Sequence, residues 1–270
     1  MTSRKRTQFG LLASLFLMVG LACNAVVPVQ LPTATQASPT RIIPAPTETL
    51  LSQQVALTSV PFSETDPGGV FPTYTITYQT PQLTGSDDAR VLAFNQFFAD
   101  LLAREVDTYR KNFQQLPLTN LSNGSTLNAT FTLVSQMGEL WSFKFDFSFY
   151  ADTAAHPGLS SLTVTYDLGQ ARPLSLDELF LPNSNYLNAI SNYCLTELKK
   201  QPYFDDMYSQ GALPTAENYR NWNLAPNGLL ITFDTYQVGP GAAGPQSVIV
   251  PYAKLSAFIN SQGPLAGIVP

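Results

Sequence analysis

From Phe71 onward the apolar positions switch repeatedly between a spacing of two and a spacing of three to four, and each switch marks an element. Phe71 to Thr80 alternates, which puts Tyr74, Ile76 and Tyr78 on one face of a half-buried strand. Pro81 and Gly85 then signal a turn. Val91, Phe94, Phe98, Leu101, Leu102, Val106, Tyr109 and Phe113 form the apolar stripe of a long amphipathic helix. Ser86 is placed to cap it, with Asp87 and Asp88 complementing its N-terminal dipole. A strand through Ala129, Phe131 and Leu133 and a turn from Gln136 to Glu139 lead to Trp141, Phe143, Phe145, Phe147 and Phe149. These aromatics alternate with Ser142, Lys144, Asp146, Ser148 and Tyr150, so one face of a strand is heavily aromatic. Packing under the equally aromatic helix is the expected use of that face, and an exposed ladder stacking on sugar rings is the alternative.

A second round of the alternation follows. Leu162, Val164, Tyr166 and Leu168 read as a strand, Leu174 to Phe180 as a short turn-rich segment, and Ser184 to Lys200 as a helix. Pro202 to Arg220 is expected to be a loop with one short helix after Thr215. Trp222 to Ala225, the turn Pro226-Asn227-Gly228 and Leu229 to Gln237 form a hairpin. A Gly/Pro/Ala loop over Gly239 to Pro245 precedes a last strand, Gln246 to Val250, and a closing helix from Tyr252 to Asn260 introduced by Pro251. Strands adjacent in sequence with helices between them predict an α+β fold, with antiparallel sheets each packed by a long amphipathic helix after a disordered N-terminal stalk.

The N-terminal stretch is of another kind. Arg4, Lys5 and Arg6 precede an apolar run from Phe9 to Ala22, and Cys23 follows. At roughly 14 residues the run suits a secretory signal and falls short of the roughly 20 that a spanning helix needs. Ala22 is the small residue that diacylation requires before the cysteine, while Gly20 stands where an aliphatic residue is usual. Residues 1–23 therefore predict a lipoprotein signal peptide with Cys23 lipidated, placing the protein outside the cytoplasm and holding it to the bacterial membrane through a lipid anchor. An ordinary cleaved signal or an uncleaved anchor, with Cys23 incidental, is the alternative, and either one also exports the chain. Residues 24–63 are rich in Pro, Thr, Ser, Ala and Gln without apolar periodicity, so they predict a disordered linker. In polyproline geometry such a stalk could reach on the order of 120 Å.

Charge narrows the partners. Without Arg4, Lys5 and Arg6, the 14 basic residues fall to 11 against 19 acidic ones, and no basic run exists. Binding to nucleic acid is not expected. Cys194 is in line with Leu187, Ile190 and Leu198 at helical spacing and reads as a small buried hydrophobe.

His156-Pro157, Tyr166-Asp167-Leu168, Leu174 to Phe180, Asn227-Gly228-Leu229, and Tyr236 to Gly244 running into Val250-Pro251-Tyr252 form a spaced set. Through it, His156 to Ile259 resembles the C-terminal domain of the lysozyme-sensing anti-sigma factors, a domain of unknown function (DUF3298 type) also found beside bacterial peptidoglycan deacetylases. Through Tyr78, Pro81 and Asn95, the segment from Tyr74 to Phe113 is similar to the small domain that usually precedes it (DUF4163 type). The resemblance implies a small α+β domain over residues 64–152, a C-terminal α+β domain over 153–263, and a ligand that is a muramidase-like protein or a peptidoglycan fragment. Candidate ligand-binding residues are His156, Tyr236, Gly239, Gly241 and Gly244. Two departures fall in these loops: Ala154-Ala155 stands where the family often has two glycines or Gly-Ala, and Gly241 where an aromatic is usual. With Met1 to Gln8 alone ahead of the apolar run, no sigma-holding domain is expected.

No catalytic set emerges. One histidine in the chain leaves no His pair at metal-ligand spacing, so neither metal nor cofactor is expected. Thr232-Phe233-Asp234 is like the opening motif of polysaccharide deacetylases, but Thr235 stands where a second aspartate belongs and the family's metal-holding histidine pair is missing. No Gly-x-Ser-x-Gly elbow accompanies His156. Asp205-Asp206 and Asp177-Glu178 could serve a carboxylate-dependent hydrolase of the cell wall, which needs two acids across a cleft. Adjacent acids on a solvated turn are the commoner case. The expectation is a non-catalytic lipoprotein that binds a cell-envelope ligand, with the hydrolase and a structural or accessory envelope subunit as alternatives.

Overall fold

A computed structural model describes residues 50–66, 72–117 and 124–269. The signal, Cys23 and the linker up to residue 49 lie outside the described residues. Two sheets organise the rest. The larger takes strands β1 (Ala56–Asp66), β2 (Tyr74–Thr84), β3 (Ser125–Met137), β4 (Leu140–Tyr150), β5 (Gly158–Asp167) and β6 (Arg172–Pro173), in that spatial order. All neighbours are antiparallel except β2 and β3. That parallel pair needs a crossover, which helix α1 (Ala89–Gln114) supplies. The smaller sheet is the antiparallel set β7 (Trp222–Ala225), β8 (Gly228–Phe233) and β9 (Gln246–Pro251), packed by helix α2 (Tyr186–Leu198).

The helical stripe and the aromatic strand meet as the spacing predicts. Val91, Phe94, Phe98, Leu102, Val106 and Phe113 of α1 are buried, each contributing about 1.5–3 kcal/mol of transfer free energy. Phe98 lies 4.9 Å from Phe143 between ring centroids, and Phe94 lies 5.7 Å from it, so this stretch of the aromatic face is core. Asn95 fixes the helix to the end of β2: its Oδ1 accepts from Leu83 N at 2.7 Å and its Nδ2 donates to Leu83 O at 2.9 Å. On the other side, Ile190, Cys194 and Leu198 of α2 share a second core with Leu229, Ile231, Phe233 and Val250.

A buried polar seam joins the two sheets. Strand β7 contacts β3, β4 and β5. Its fully buried Asn223 donates through Nδ2 to Phe143 O at 2.8 Å and to Ser142 Oγ at 3.0 Å. Leu224 N donates to the same Ser142 Oγ at 3.0 Å, and Ser135 Oγ donates to Leu224 O at 2.6 Å. Buried donors and acceptors are costly unless paired, so these bonds fix one docking register for β7 where apolar contacts alone would tolerate sliding.

Several expectations need correction. The linker expected to reach Ser63 gives way earlier: Leu51–Gln53 form a 3-10 turn, with Ser52 N and Oγ both donating to Glu139 Oε1 at 3.2 Å, and β1 follows. Most positions of β1 are exposed because it is an edge strand, so it lacks the apolar alternation that marks a half-buried one. The boundary expected between residues 152 and 153 falls inside the β4–β5 hairpin of one sheet, and the described residues form one compact unit. Pro81 does not turn the chain. It lies in β2 beyond the last β3 pairing at Tyr78, where a residue without an N–H is tolerated. Asp88, not Ser86, caps α1, accepting from Arg90 N at 2.8 Å, while Ser86 Oγ accepts from Asp88 N. The stretch from Pro202 to Arg220 holds two 3-10 turns, Asp206–Ala212 and Glu217–Tyr219. The closing helix is a single turn, Tyr252–Leu255, because the chain then bends to bridge Ile259 to Phe180. Among the described residues no helix is long and apolar enough to cross a membrane.

Candidate functional site

The first half of β5 is a sheet edge, since β6 pairs with Tyr166 and Asp167 only. The start of β7 and the segment after β8 hydrogen-bond to β5. Ser161 N donates to Asp234 Oδ1 at 3.1 Å, Thr235 Oγ1 donates to Leu159 O at 3.3 Å, and Trp222 N donates to Thr163 Oγ1 at 2.8 Å. The carboxylate of Asp234 also accepts from Arg220 Nη2 at 2.5 Å and Asn221 Nδ2 at 3.3 Å. Asp234 thus pins the loop after β8 onto the large sheet, which is a structural use of the residue ending the deacetylase-like triplet.

Over this pinned edge the two candidate loops converge. His156, Pro157, Gly158 and Leu159 from one, and Thr235, Tyr236, Gly241 and Gly244 from the other, line a cleft of about 220 Å³ with Phe149. Two rings lean on glycines. A Cβ at Gly158 would come within 2.3 Å of the Phe149 ring, and one at Gly241 within 2.3 Å of the Tyr236 ring. Gly241, where the resembling family usually has an aromatic, therefore makes room for the ring of Tyr236. Tyr236 itself takes a left-handed φ of 71° and is 62% exposed, an unusual conformation for a bulky residue that presents its ring to solvent. The exposed His156 donates through Nδ1 to Pro157 O at 2.9 Å, which ties its ring to the loop backbone. Gly239 does not line this cleft: its α-carbon faces the Tyr203 ring and Ala243.

A second lobe of about 300 Å³ adjoins along the same strands, lined by Glu105, Tyr109, Phe147, Ser160, Arg220 and Asp234 among others. Tyr109 sits 5.9 Å from Phe147 and 5.1 Å from Phe149 between centroids, and its hydroxyl is 2.8 Å from Ser160 Oγ. Burial raises its phenolic pKa above the usual value, so the hydroxyl stays neutral. Sequence reading missed this lobe because Tyr109 and Phe147 obey the core periodicity of their elements. Asp234, at the end of a strand, was the one local signal.

Among the remaining candidates Asp177 is exposed, and the others have structural uses. Cys194 is fully buried, and burial pushes its thiol up to about 12. Asp205 Oδ1 accepts from Met207 N at 3.0 Å, and Asp206 pairs with Lys199 at 3.5 Å. Glu178 forms a capping box with Ser175 and a two-pronged pair with Arg172, whose guanidinium holds the carboxyl down at about 2.

Comparison with known proteins agrees with this architecture. Residues 177–253 match the family described as protein of unknown function DUF3298. The chain is 25% identical over 162 residues to the peptidoglycan-N-acetylmuramic acid deacetylase PdaC of Bacillus subtilis (strain 168). That alignment covers 59% of this chain and 34% of the deacetylase, so the chain spans about a third of that relative's length. Two crystal structures share the fold. A DUF3298 family member from Bacteroides fragilis NCTC 9343 superposes with a TM-score of 0.60 at 17% identity, covering 79% of this chain and 96% of that one. A DUF3298 family protein from Pseudomonas aeruginosa PAO1 gives 0.56 at 13% identity, covering 76% and 94%.

Proposed function

We propose, from the premise that residues 177–253 are a DUF3298-type domain, that this chain is a non-catalytic binding protein of the bacterial cell envelope. Its ligand is a peptidoglycan fragment seated in the cleft between the His156 and Tyr236 loops. The observation that carries the reading is the convergence of those two loops, far apart in sequence, on one cleft whose rings are positioned by Gly158 and Gly241. Aromatic faces beside an exposed imidazole suit a sugar ring with polar substituents. The partial likeness to a peptidoglycan deacetylase supports the choice of ligand class. The non-catalytic reading is supported by Asp234, whose two oxygens already accept from Ser161, Arg220 and Asn221. An acyl group on Cys23 would hold the protein on the outer face of the membrane.

Calorimetric titration of the purified chain with muropeptides, and separately with lysozyme, tests the reading. Covering roughly 50 Å² of the Tyr236 ring at about 25 cal/mol/Å² gives about 1.2 kcal/mol, so Tyr236→Ala should weaken muropeptide binding close to tenfold. Gly241→Ala should do the same by displacing that ring, with stability unchanged. Binding of lysozyme alone would move the ligand to the muramidase class. Binding of neither, or indifference to both variants, would remove the site. Failure of a palmitate analogue to label the chain in a Cys23-dependent way would remove the anchor.

A further inference from the structure

A second cleft, of about 620 Å³, opens between the β6–α2 segment and the C-terminal stretch after Ile259. Backbone bonds hold its walls together: Leu181 N donates to Phe258 O at 2.7 Å, and Asn260 N donates to Leu179 O at 3.0 Å. On one side the Tyr186 ring lies flat on the buried Phe180, 4.2 Å between centroids and 8° between planes, so its orientation is fixed. Asn183, Asn260 and Gln262 line the same cleft, and Asn260 Oδ1 accepts from Gln262 N at 3.0 Å, which leaves its Nδ2 for a ligand. Arg172 also lines the cleft, but its guanidinium is engaged by both oxygens of Glu178, at 3.0 and 2.5 Å, and the exposed Asp177 adds a further negative charge.

These features select a ligand class. With its cation neutralised and an acid to spare, the cleft disfavours phosphates and carboxylates. A fixed aromatic ring in a cleft lined by several side-chain amides suits a neutral hydroxylated ring, and amides pair with an acetamido group through both donor and acceptor. We propose that this cleft is a saccharide subsite for neutral N-acetylated hexosamine units. The inference goes beyond the binding site at the His156 and Tyr236 loops, since no step of it uses that cleft.

Titration of the full chain with tri-N-acetylchitotriose tests it, with cellotriose and N-acetylmuramic acid as ligands lacking the acetamido groups or carrying a carboxylate. Saturable binding is expected for chitotriose, with weaker binding of both comparators. Tyr186→Ala should weaken it by about tenfold and Gln262→Ala by about threefold, while Leu92→Ala, at an exposed position of α1 that lines neither cleft, leaves it within about twofold. Should Tyr186→Ala fail to fold by circular dichroism, Gln262→Ala and Asn183→Gly decide. Glycine keeps the left-handed φ of 58° at Asn183 while removing the amide. The proposal is overturned by absence of saturable binding, by muramic acid binding more tightly than chitotriose, by full affinity in both exposed-amide variants, or by loss of binding in Tyr236→Ala alone. Chitotriose binding without muropeptide binding would sink the loop-cleft reading and leave this one standing; the reverse would do the opposite.

Discussion

Replacing Asp234 probes how the body positions its candidate site. Asp234→Ala removes the ion pair with Arg220, whose side chain is 48% exposed against 19% for the aspartate. A pair so accessible contributes about 0.5–1 kcal/mol. The same change strips the carboxylate from the Ser161 N–H on a nearly buried strand position, a charge-assisted bond contributing about 1.5–3 kcal/mol. The sum is about 2–4 kcal/mol. Asp234→Asn keeps an oxygen for Ser161 and loses the charge, so it should cost about 1 kcal/mol. In urea unfolding followed by tryptophan fluorescence, a slope of about 2–3 kcal/mol/M turns these into midpoint drops of about 1 M for alanine and roughly 0.4 M for asparagine. Equal drops would show that the Ser161 bond contributes nothing, and an alanine shift below about 0.2 M would refute the pinning role. The rival hydrolase reading is tested separately: it requires peptidoglycan-cleaving activity in the parent chain and its loss in Asp177→Asn or Asp205→Asn.

Two other outcomes follow from the ionisable groups. In a chain carrying Cys23→Ser, Cys194 is the remaining thiol; buried and pushed up to about 12, it should resist a disulfide reagent at mildly alkaline pH and react promptly in concentrated guanidinium, and fast native-state labelling would contradict its burial. Glu178 is held at about 2, chiefly by Arg172, against an ordinary value of 4.5, so the folded state binds fewer protons there than the unfolded chain. Its stabilisation is complete above about pH 4.5 and disappears as pH falls through about 2; Glu178→Gln should flatten stability against pH within that window, and an unchanged profile would refute the assignment. The effect is small because the pair is 43% and 30% exposed.

Burial explains which elements were legible beforehand. The α1 stripe and the β4 alternation stand out because one face of each is apolar and covered while the other is polar; on β4 that polar face is wet toward Ser148 but buried under β7 at Ser142. Strand β1 was missed because an exposed edge imposes no such contrast, and its Thr, Ser and Pro content continues that of the preceding linker. The N-cap was misplaced by two residues because Ser86, Asp87 and Asp88 are all competent caps; geometry chose Asp88. Gly239 entered with Gly241 and Gly244 through the Tyr236 to Gly244 motif of the resemblance, yet its α-carbon faces Tyr203 instead.

By itself the sequence determined the α+β class, the aromatic core, the hairpins and the two loops worth watching, because each of these is written in local periodicity, turn chemistry or a spaced motif. Tertiary structure alone decided that β4 and β5 join what looked like two domains, and that Asp234 pins one loop to the edge of the large sheet. It also decided that Tyr109 and Phe147, core-like in sequence, border an open lobe. The physical reason is that periodicity records how often a side chain is covered along its own element, whereas a cleft is made by elements distant in sequence that stop short of covering one another.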